Sequence, residues 1–435
     1  MKKKDTIDII TLGCSKNLVD SEFLMRQFEA LGYQVRHDAK VPDGNIVIVN
    51  TCGFIADAKE ESIYTILQFA KQRKENKIDK LFVMGCLSQR YLKELQAEIP
   101  EVDKFYGKFD YVEILKELGE NYQPHLRLER TLTTPAHYAY VKIAEGCNRT
   151  CSYCAIPLMT GKYQSRPMED IEKEVKILVS KGVKELQLIA QDLSDYGEDL
   201  YKTSKLSELI ERLSDIQGVE WIRLHYAYPV RFPFDVLKVM RERDNVCKYL
   251  DISLQHISDK MLKLMRRNIT KKQTYELIDR IREEVPGIHL RTTLMVGHPG
   301  ETEEDIQELK EFIRKEKFER LGAFTYSHEE GTFAYQNYED EISEKEKLQR
   351  LDKIMELQQQ ISFELNQSKI GKVFKVIIDR VEGEYYIGRT EFDSPEVDPE
   401  VLIPISNKNI KIGEFSNIKI VDALDFDLYG ISVVD

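Results

Sequence analysis

Three closely spaced cysteines are the residues of this chain best suited to chemistry. Cys147, Cys151 and Cys154 have the spacing C-x3-C-x2-C, so their thiolates can converge from one loop onto one metal centre. Thiolates are soft ligands that suit iron–sulfur clusters or zinc. Because no fourth cysteine or histidine lies nearby, a four-iron cluster would keep one iron open. We predict a cluster; zinc and a disulfide are the alternatives, and the odd number of thiols and their spacing disfavour both.

A second set of three cysteines is spread over the first 90 residues. Cys14, Cys52 and Cys86 each follow a short apolar run typical of a β-strand, and helical patterns over 21–31 and 56–73 lie between the runs. In a parallel α/β sheet the carboxyl ends of the strands lie at one edge, so distant loops meet there. We therefore predict a second cluster, again with one open iron. Buried packing cysteines are the alternative.

The first cysteine loop must be positioned by the middle of the chain, which alternates regularly between strand and helix patterns. Six strand candidates are 139–146, 184–190, 221–227, 249–255, 289–297 and 320–326. Such a series predicts a partial (βα)6 barrel of the TIM type over 136–335, with its site at the carboxyl ends of the strands. Gln191 follows the second strand, and Gly297 and Glu301 follow the fifth, so all three are candidate ligand contacts. Cys247 and Trp221 are predicted to be core residues.

The remainder of the chain predicts a connector and a small β-domain. Apolar residues recur at steps of three and four over 340–368, which indicates an amphipathic helix within a connector spanning 336–368. Alternating patterns at 373–378, 385–389 and 418–421 favour a small antiparallel β-barrel over 369–435. The N-terminal segment, 1–130, is predicted to be a separate parallel α/β sheet domain.

Composition limits the class of protein and its location. The 435 residues contain 63 Lys and Arg against 75 Asp and Glu, a net charge of −12. An acidic chain is poorly suited to blanket nucleic-acid binding, whose affinity comes from phosphate neutralisation. No apolar stretch is long enough to span a membrane. The seven cysteines then predict a reducing, cytoplasmic location, where ligation or catalysis is commoner than a disulfide.

The cysteine spacing, with Tyr153 before the third thiol, resembles the signature of the radical S-adenosylmethionine (SAM) superfamily. The whole chain resembles its methylthiotransferases. Its sequence is more similar to the branch that modifies a ribosomal protein than to the branch that modifies tRNA. The telling stretches, which distinguish the two branches, are 11–22, 226–229, 254–259 and 291–297. The chain departs from that branch at Ser15, Thr160 and His298, which leaves the chemistry intact but puts a substrate contact at Thr160 in doubt.

The resemblance implies two [4Fe–4S] clusters and SAM as cofactors. The cluster on Cys147, Cys151 and Cys154 would pass an electron to SAM, which Tyr153, Gln191, Gly297 and Glu301 help to bind, and so yield a 5′-deoxyadenosyl radical. The cluster on Cys14, Cys52 and Cys86 would hold the sulfur to be inserted. A second SAM would supply the methyl group. The electron would come from a donor such as flavodoxin or ferredoxin.

The implied substrate is the small-subunit ribosomal protein S-twelve, modified at the β-carbon of one aspartate. Such a C–H bond is unactivated, so no side-chain base could remove its proton near neutral pH, and a radical is needed. A tRNA adenosine methylthiotransferase is the alternative with the same chemistry. A two-cluster electron carrier is the alternative of another class, although a carrier needs neither open irons nor a SAM pocket.

The resemblance also identifies the C-terminal β-barrel as a TRAM, OB-like module, for which RNA binding is the default expectation. Its charge disagrees, because acidic residues outnumber basic ones and five of them crowd one loop: Glu391, Asp393, Glu396, Asp398 and Glu400. An acidic surface repels phosphates and attracts basic partners such as ribosomal proteins. We therefore predict that the C-terminal barrel docks a basic protein rather than bare RNA; a solvated loop kept soluble by charge is the alternative.

Overall fold

The computed structural model describes residues 5–39, 44–406 and 410–433 of the chain, so the first four and the last two residues of the predicted end domains lie outside it. It contains two parallel sheets flanked by helices, followed by a closed five-stranded barrel. The predicted fold class is therefore confirmed. No helix in the described ranges is long and apolar enough to cross a membrane.

The N-terminal sheet is entirely parallel, with the strand order β2-β1-β3-β4-β5. Its strands are β1 (Thr6–Thr11), β2 (Gln34–His37), β3 (Ile46–Thr51), β4 (Lys80–Gly85) and β5 (Lys104–Phe105). Its helices are α1 (Ser15–Ala30), α2 (Ala56–Lys74), α3 (Cys86–Arg90), α4 (Leu92–Glu98) and α5 (Tyr111–Glu117). Every residue of β3 is buried, because helices cover both faces of the sheet, as is usual for parallel sheets.

Helix α1 begins at Ser15, six residues before the predicted start. Its first turns bury polar residues, including Lys16, Asn17 and Asp20, against other parts of the protein. Polar residues on a buried face remove the apolar periodicity that the prediction needed. This early start places the helix directly after Cys14.

The middle of the chain forms a six-stranded parallel sheet with neighbours in the order β13-β12-β11-β10-β9-β6. Its strands are β6 (Tyr138–Lys142), β9 (Glu185–Ile189), β10 (Trp221–Ala227), β11 (Val246–Gln255), β12 (His289–Val296) and β13 (Arg320–Thr325), with the short pair β7 (Ala144–Glu145) and β8 (Gln164–Ser165) beside them. Each strand of this sheet lies beside the one that follows it in the chain, as the partial barrel prediction requires. Strands β6 and β9 are also neighbours, although β7 and β8 lie between them in the sequence. The predicted first strand, 139–146, ends at Lys142. The residues Ala144 and Glu145 form the separate strand β7, which pairs with β8.

Helices alternate with these strands and bury their apolar faces on the sheet. They are α6 (Ile156–Thr160), α7 (Met168–Ser180), α8 (Glu198–Tyr201), α9 (Leu206–Ser214), α10 (Asp235–Glu242), α11 (Asp259–Leu264), α12 (Lys271–Glu284), α13 (Glu303–Glu316), α14 (Phe333–Asn337) and α15 (Glu344–Gln367). The connector helix α15 buries Ile354 and Ile361 in the same core, as its periodicity predicted. Leu348 is an exception, since it is about half exposed.

The C-terminal barrel closes in the order β14-β15-β16-β18-β17. Its strands are β14 (Val373–Glu382), β15 (Tyr385–Thr390), β16 (Val401–Pro404), β17 (Phe415–Ala423) and β18 (Leu428–Ser432). All pairs are antiparallel except β16 with β18. The sequence did not predict β16 and β18, which are short and carry a proline and a glycine, residues that are depleted in strands.

The acidic loop after β15 lies against the amino-terminal ends of the parallel strands. Asp393 pairs with Arg320, and Asp398 receives a hydrogen bond of 2.6 Å from Arg291. Glu396 accepts hydrogen bonds from the hydroxyls of Tyr138 and Tyr140, at 3.1 and 3.2 Å.

The remaining two acids of that loop are also engaged within the protein. Glu391 accepts from the backbone N–H of Lys248, and Glu400 pairs with Arg380 at 2.6 Å. The loop therefore joins the barrel to the parallel sheet, and three of its five acids pair with arginines of the chain's own strands: Asp393, Asp398 and Glu400. Docking of a basic protein by the barrel stays a prediction.

Candidate active site

The second cysteine set lies at one edge of the N-terminal sheet. Cys14, Cys52 and Cys86 follow β1, β3 and β4, which are adjacent strands, so all three lie at the same edge of the sheet. Two glycines permit the close approach. A Cβ on Gly13 would lie 2.7 Å from the Cβ of Cys52, and a Cβ on Gly85 would lie 2.6 Å from backbone atoms of Thr51.

Asn17 joins the three loops, although it is not itself a ligand candidate. Its Nδ2 donates to the carbonyls of Leu12 and Thr51, both at 3.0 Å. Its Oδ1 accepts from the Cys86 thiol at 3.6 Å. The buried side-chain amide of Asn17 thus connects the ends of β1, β3 and β4. Sequence reasoning missed this residue, because its three partners are far apart in the chain.

A buried lysine adds positive charge to the second set. The Nζ of Lys108 lies 3.9 Å from the Sγ of Cys86 and pairs with Glu145 at 3.2 Å and with Asp20 at 3.7 Å. Burial raises the pKa of the Cys86 thiol to about 12, and the Lys108 charge opposes that rise. Burial alone would lower the pKa of Lys108, but the Asp20 and Glu145 carboxylates raise it above its ordinary value.

The first cysteine set lies on the loop between β7 and β8, beside residues that follow other strands. Arg267 donates from Nη1 to the Sγ of Cys151 at 3.2 Å, and the Tyr228 hydroxyl lies 3.6 Å from the same sulfur. The Arg267 guanidinium also stacks 4.1 Å from the centre of the Tyr228 ring. Arg267 was missed by sequence reasoning; Tyr228 lies within the telling stretch 226–229.

The backbone after Cys147 supports the same loop. The N–H of Arg149 donates to the Cys147 Sγ at 3.4 Å, and its guanidinium pairs with Asp192 at 2.6 Å and Asp195 at 2.7 Å. Burial raises the pKa of Cys147 to about 12, although the hydrogen bond from the Arg149 N–H lowers it. Burial also raises the pKa of Cys154, and the neighbouring Cys151 raises it further.

The two cysteine sets adjoin. Cys86 packs in one buried cluster with Ala155, Ile156 and Met159, which directly follow Cys154. The N-terminal sheet therefore presents its cysteine edge to the cysteine loop of the six-stranded sheet.

The predicted SAM contacts divide into two groups. Tyr153 accepts from Arg267 at 3.3 Å, and Gln191 donates to Glu145, two residues before Cys147. Gly297 and Glu301 bind each other instead, through a backbone N–H at 2.7 Å, and Glu301 also pairs with Arg350 of α15.

The loop that holds Gly297 and Glu301 reaches the first cysteine set through a different residue. His298 lies 3.2 Å from the hydroxyl of Ser152 and makes an edge contact with the Tyr153 ring. The structure therefore brings the loop 296–301 beside the cysteine loop, while the carboxylate of Glu301 faces the connector helix.

Unpaired polar atoms collect at the carboxyl ends of the strands. Buried side-chain oxygens of Gln191 and Gln255 have no hydrogen-bond donor among the described residues. Buried polar groups normally have partners, so such atoms are expected where a polar cofactor binds.

The donor geometry also bears on the kind of metal centre. In the described part of the chain, no three His, Cys, Asp or Glu side chains come close enough to hold a single metal ion. A cluster binds each thiolate through a separate iron, whereas a mononuclear zinc site needs several ligands on one ion. All seven cysteines are free thiols.

Comparison with known proteins first defines the class. Residues 141–313 match the family model of the radical SAM superfamily, 6–107 match "Uncharacterized protein family UPF0004", and 370–433 match the TRAM domain. The radical SAM methyltransferase TsrM from Kitasatospora setae shares the fold at a TM-score of 0.53 and 13% identity, covering 75% of this chain and 72% of that one. The class implies a [4Fe–4S] cluster and SAM.

Curated relatives then define the family. Proteins named "Ribosomal protein uS12 methylthiotransferase RimO" are 67% identical in Phocaeicola vulgatus, over 98% of this chain and 99% of the relative, and 66% in Bacteroides thetaiotaomicron, over 98% of each. The relative from Porphyromonas gingivalis is 60% identical over 98% of this chain and 99% of its own length. The chain belongs to the RimO family of radical SAM methylthiotransferases.

Proposed function

We propose that this protein adds a methylthio group to the β-carbon of an aspartate in the ribosomal protein uS12. The observation that carries the proposal is the packing of Cys86 on the residues that follow Cys154, which places two three-thiol sets side by side. Relatives that match the full chain are named for uS12. Sulfur insertion needs both a radical source and a sulfur store, and two adjoining sets can supply them.

We assign the two sets to two [4Fe–4S] clusters. Cys147, Cys151 and Cys154 would hold the cluster that binds SAM, and the set after β1, β3 and β4 would hold the sulfur-donor cluster: Cys14, Cys52 and Cys86. When bound, these cofactors supply a radical able to take hydrogen from an unactivated C–H bond and a sulfur to replace it.

The chain's own residues prepare these sites. The Arg267 guanidinium donates to the Cys151 sulfur at 3.2 Å. At longer range, the charge of Lys108 opposes the rise in the pKa of Cys86 that burial causes. Tyr153 and Gln191 border the first set, and their buried neighbours keep water away. We also propose that the loop with Gly297 and Glu301 contacts SAM, and we assign this contact to the backbone of Gly297. The Glu301 carboxylate already pairs with Arg350.

We further propose four functional units in the chain. These are the sulfur-donor domain over 1–130, the radical SAM partial barrel over 136–335, the connector over 336–368 and the TRAM barrel over 369–435. A one-electron donor such as flavodoxin or ferredoxin would reduce the first cluster in the cytoplasm. The strand and helix bounds given above support these divisions.

Cluster loading is the first test. Anaerobic reconstitution of the full chain followed by iron and sulfide analysis should give about eight of each, on the stoichiometry of two [4Fe–4S] clusters. Four of each, or bound zinc, would contradict the assignment.

Substrate identity needs a separate experiment. In a strain that lacks this protein, intact-mass and fragment spectra of uS12 should lose the methylthio group from one aspartate, while the methylthio-adenosine content of tRNA should not change. Loss from tRNA with unchanged uS12 would establish the tRNA enzyme instead.

A further inference from the structure

Lys16 is a buried cation that has no oxygen acceptor. Its residue is 8% exposed, and its Nζ lies 3.6 Å from the centre of the Tyr226 ring. Among the described residues it makes no hydrogen bond or ion pair. An aromatic face attracts an ammonium group but leaves its three N–H donors without acceptors. A buried charge in that state is costly unless a partner arrives.

The other buried cations near the cysteines are already paired. Lys108 and Lys142 share the carboxylates of Asp20 and Glu145. Arg149 pairs with Asp192 and Asp195, and Arg267 donates to the carbonyl of Ser253. Lys16 therefore differs from the described cations that flank the two sets.

The position of Lys16 connects the two sets. It follows Cys14 by two residues. The ring beneath it belongs to Tyr226, which lies two residues before Tyr228, and the Tyr228 hydroxyl contacts Cys151. Burial raises the pKa of the nearby Asp251 to about 6. The charges of Arg291 and Lys16 oppose that rise, so Asp251 is a charged neighbour of Lys16. No hydrogen bond or ion pair joins the two side chains among the described residues.

We propose that Lys16 binds the side-chain carboxylate of the substrate aspartate, an inference that rests on the proposed function. The reacting β-carbon is bonded to that carboxylate, so the charge must enter the space between the cysteine sets along with it. Burial of a carboxylate requires a cation or several donors. Gln187 offers a second donor, because the ring of His225 that it binds through its Oε1 lies 5.8 Å from that of Tyr226. Its buried Nε2 has no acceptor among the described residues.

The test measures discrimination between a carboxylate and an amide. The anaerobically reconstituted full chain is titrated with isolated uS12 and with uS12 whose modified aspartate is replaced by asparagine. The unsubstituted enzyme should bind the aspartate form about 10- to 100-fold more tightly, the usual value of a charged hydrogen bond. Lys16→Met and Lys16→Gln should bring the ratio near one, and Lys16→Arg should retain most of it.

Lys104→Met is the matched control, because Lys104 also lies near an aromatic ring, 5.2 Å from the centre of Tyr106, but on the edge strand β5. It should keep the full ratio. If Lys16→Met keeps the full preference for the aspartate form of uS12, the assignment is overturned. It is also overturned if this variant loses affinity for SAM and keeps that preference. Equal binding of both uS12 forms by the unsubstituted enzyme overturns the role proposed for Lys16 but not the proposed function. Binding of neither form overturns the proposed function as well.

Discussion

A single buried amide shows how much the site depends on residues that do not touch a cofactor. Asn17 bonds to two strand-end carbonyls and to the Cys86 thiol, so it holds three loops in register. Cysteine side chains on separate loops form one ligand set only if the loops are fixed in this way. The second set is therefore expected to be more sensitive to its supporting hydrogen bonds than the first, which lies on one continuous loop.

Replacement of Asn17 tests this expectation. Asn17→Ala leaves the carbonyls of Leu12 and Thr51 without their donor, at a cost of about 1–3 kcal/mol for a buried unsatisfied group. We expect the iron content after anaerobic reconstitution to fall from about eight toward about four per chain, on the [4Fe–4S] stoichiometry. Asn45→Ala is the control, since its side chain bonds to Asp79 at an exposed site. Full iron content in Asn17→Ala would show that the thiols alone organise the site.

The two cysteine sets should have separable roles. Cys151→Ala should abolish reductive SAM cleavage, because it removes one of the three proposed ligands of the SAM-binding cluster. Cys52→Ala should still yield deoxyadenosine but add no methylthio group. Both products are measured by chromatography with mass detection. Cys247→Ala is the control, because Cys247 is buried away from both sets. Methylthio transfer by the Cys52 variant would remove the sulfur-donor role from the second set.

The ligand candidates could be predicted from the sequence, but their supporting residues could not. The spacing of Cys147, Cys151 and Cys154 is local, and the second set follows from strand topology. Arg267 reaches Cys151 from 116 positions away, and Lys108 reaches Cys86 from 22 positions away. Nothing in the local pattern distinguishes these cations from surface ones. Only the packing of separate elements reveals their partners.

At the scale of elements, the loop between β15 and β16 shows what charge composition cannot predict. A sequence gives the number of acidic residues but not the location of the cations that neutralise them. Arg320, Arg291 and Arg380 lie on three different strands and pair with Asp393, Asp398 and Glu400. The negative loop therefore makes ion pairs within the protein.

The buried part of this loop should contribute far more to stability than the exposed part. Asp393→Asn leaves Arg320 buried and unpaired, which costs about 3–5 kcal/mol. Glu400→Gln breaks an exposed pair and should cost at most about 1 kcal/mol. Urea unfolding followed by Trp221 fluorescence measures both, because this tryptophan contacts Phe415 of the barrel with ring centres 4.8 Å apart. Equal shifts in the two variants would contradict the burial argument.

Regular elements were predicted well where their periodicity was uninterrupted. The strands β9 to β13 and the helix α15 lie where the apolar patterns placed them. Helix α1 was predicted too short, because its buried face carries Lys16, Asn17 and Asp20 in place of apolar residues. Polar residues are buried there because they organise the site, so the pattern failed at the element that joins the two cysteine sets.

At the scale of the whole molecule, a second ionic junction, apart from the loop between β15 and β16, joins the barrel to the sheet. Arg389 of β15 binds Asp379 of β14 at 2.6 Å and Glu185 of β9 at 2.7 Å, and His137 lies 2.7 Å from the same aspartate. These side chains are almost entirely buried. The sequence predicted both units but gave no information about how they dock, because the contact depends on four residues from four separate segments.

This junction predicts that the barrel loosens in acid. Burial alone would raise the pKa of Asp379, but the charge of Arg389 and the hydrogen bonds from His137 and Arg389 lower it to about 2. A lowered carboxyl pKa stabilises the folded state above the unfolded value, near 4, and that stability is lost as the pH falls toward 2. The loss is on the order of 2 kcal/mol for this one group.

Trp221 fluorescence of the chain without cofactors can follow this loss, because Trp221 is the single tryptophan and lies at the junction. Its emission should shift to longer wavelength between pH 4 and pH 2 as water reaches the indole. Asp379→Asn removes the titrating group and leaves Arg389 with one carboxylate, so its emission should already be shifted at pH 7 and should change less in acid. Asp425→Asn, which removes an exposed carboxylate of the same barrel, should behave like the unsubstituted chain. If Asp379→Asn retains the full acid-induced shift, another group controls the attachment of the barrel.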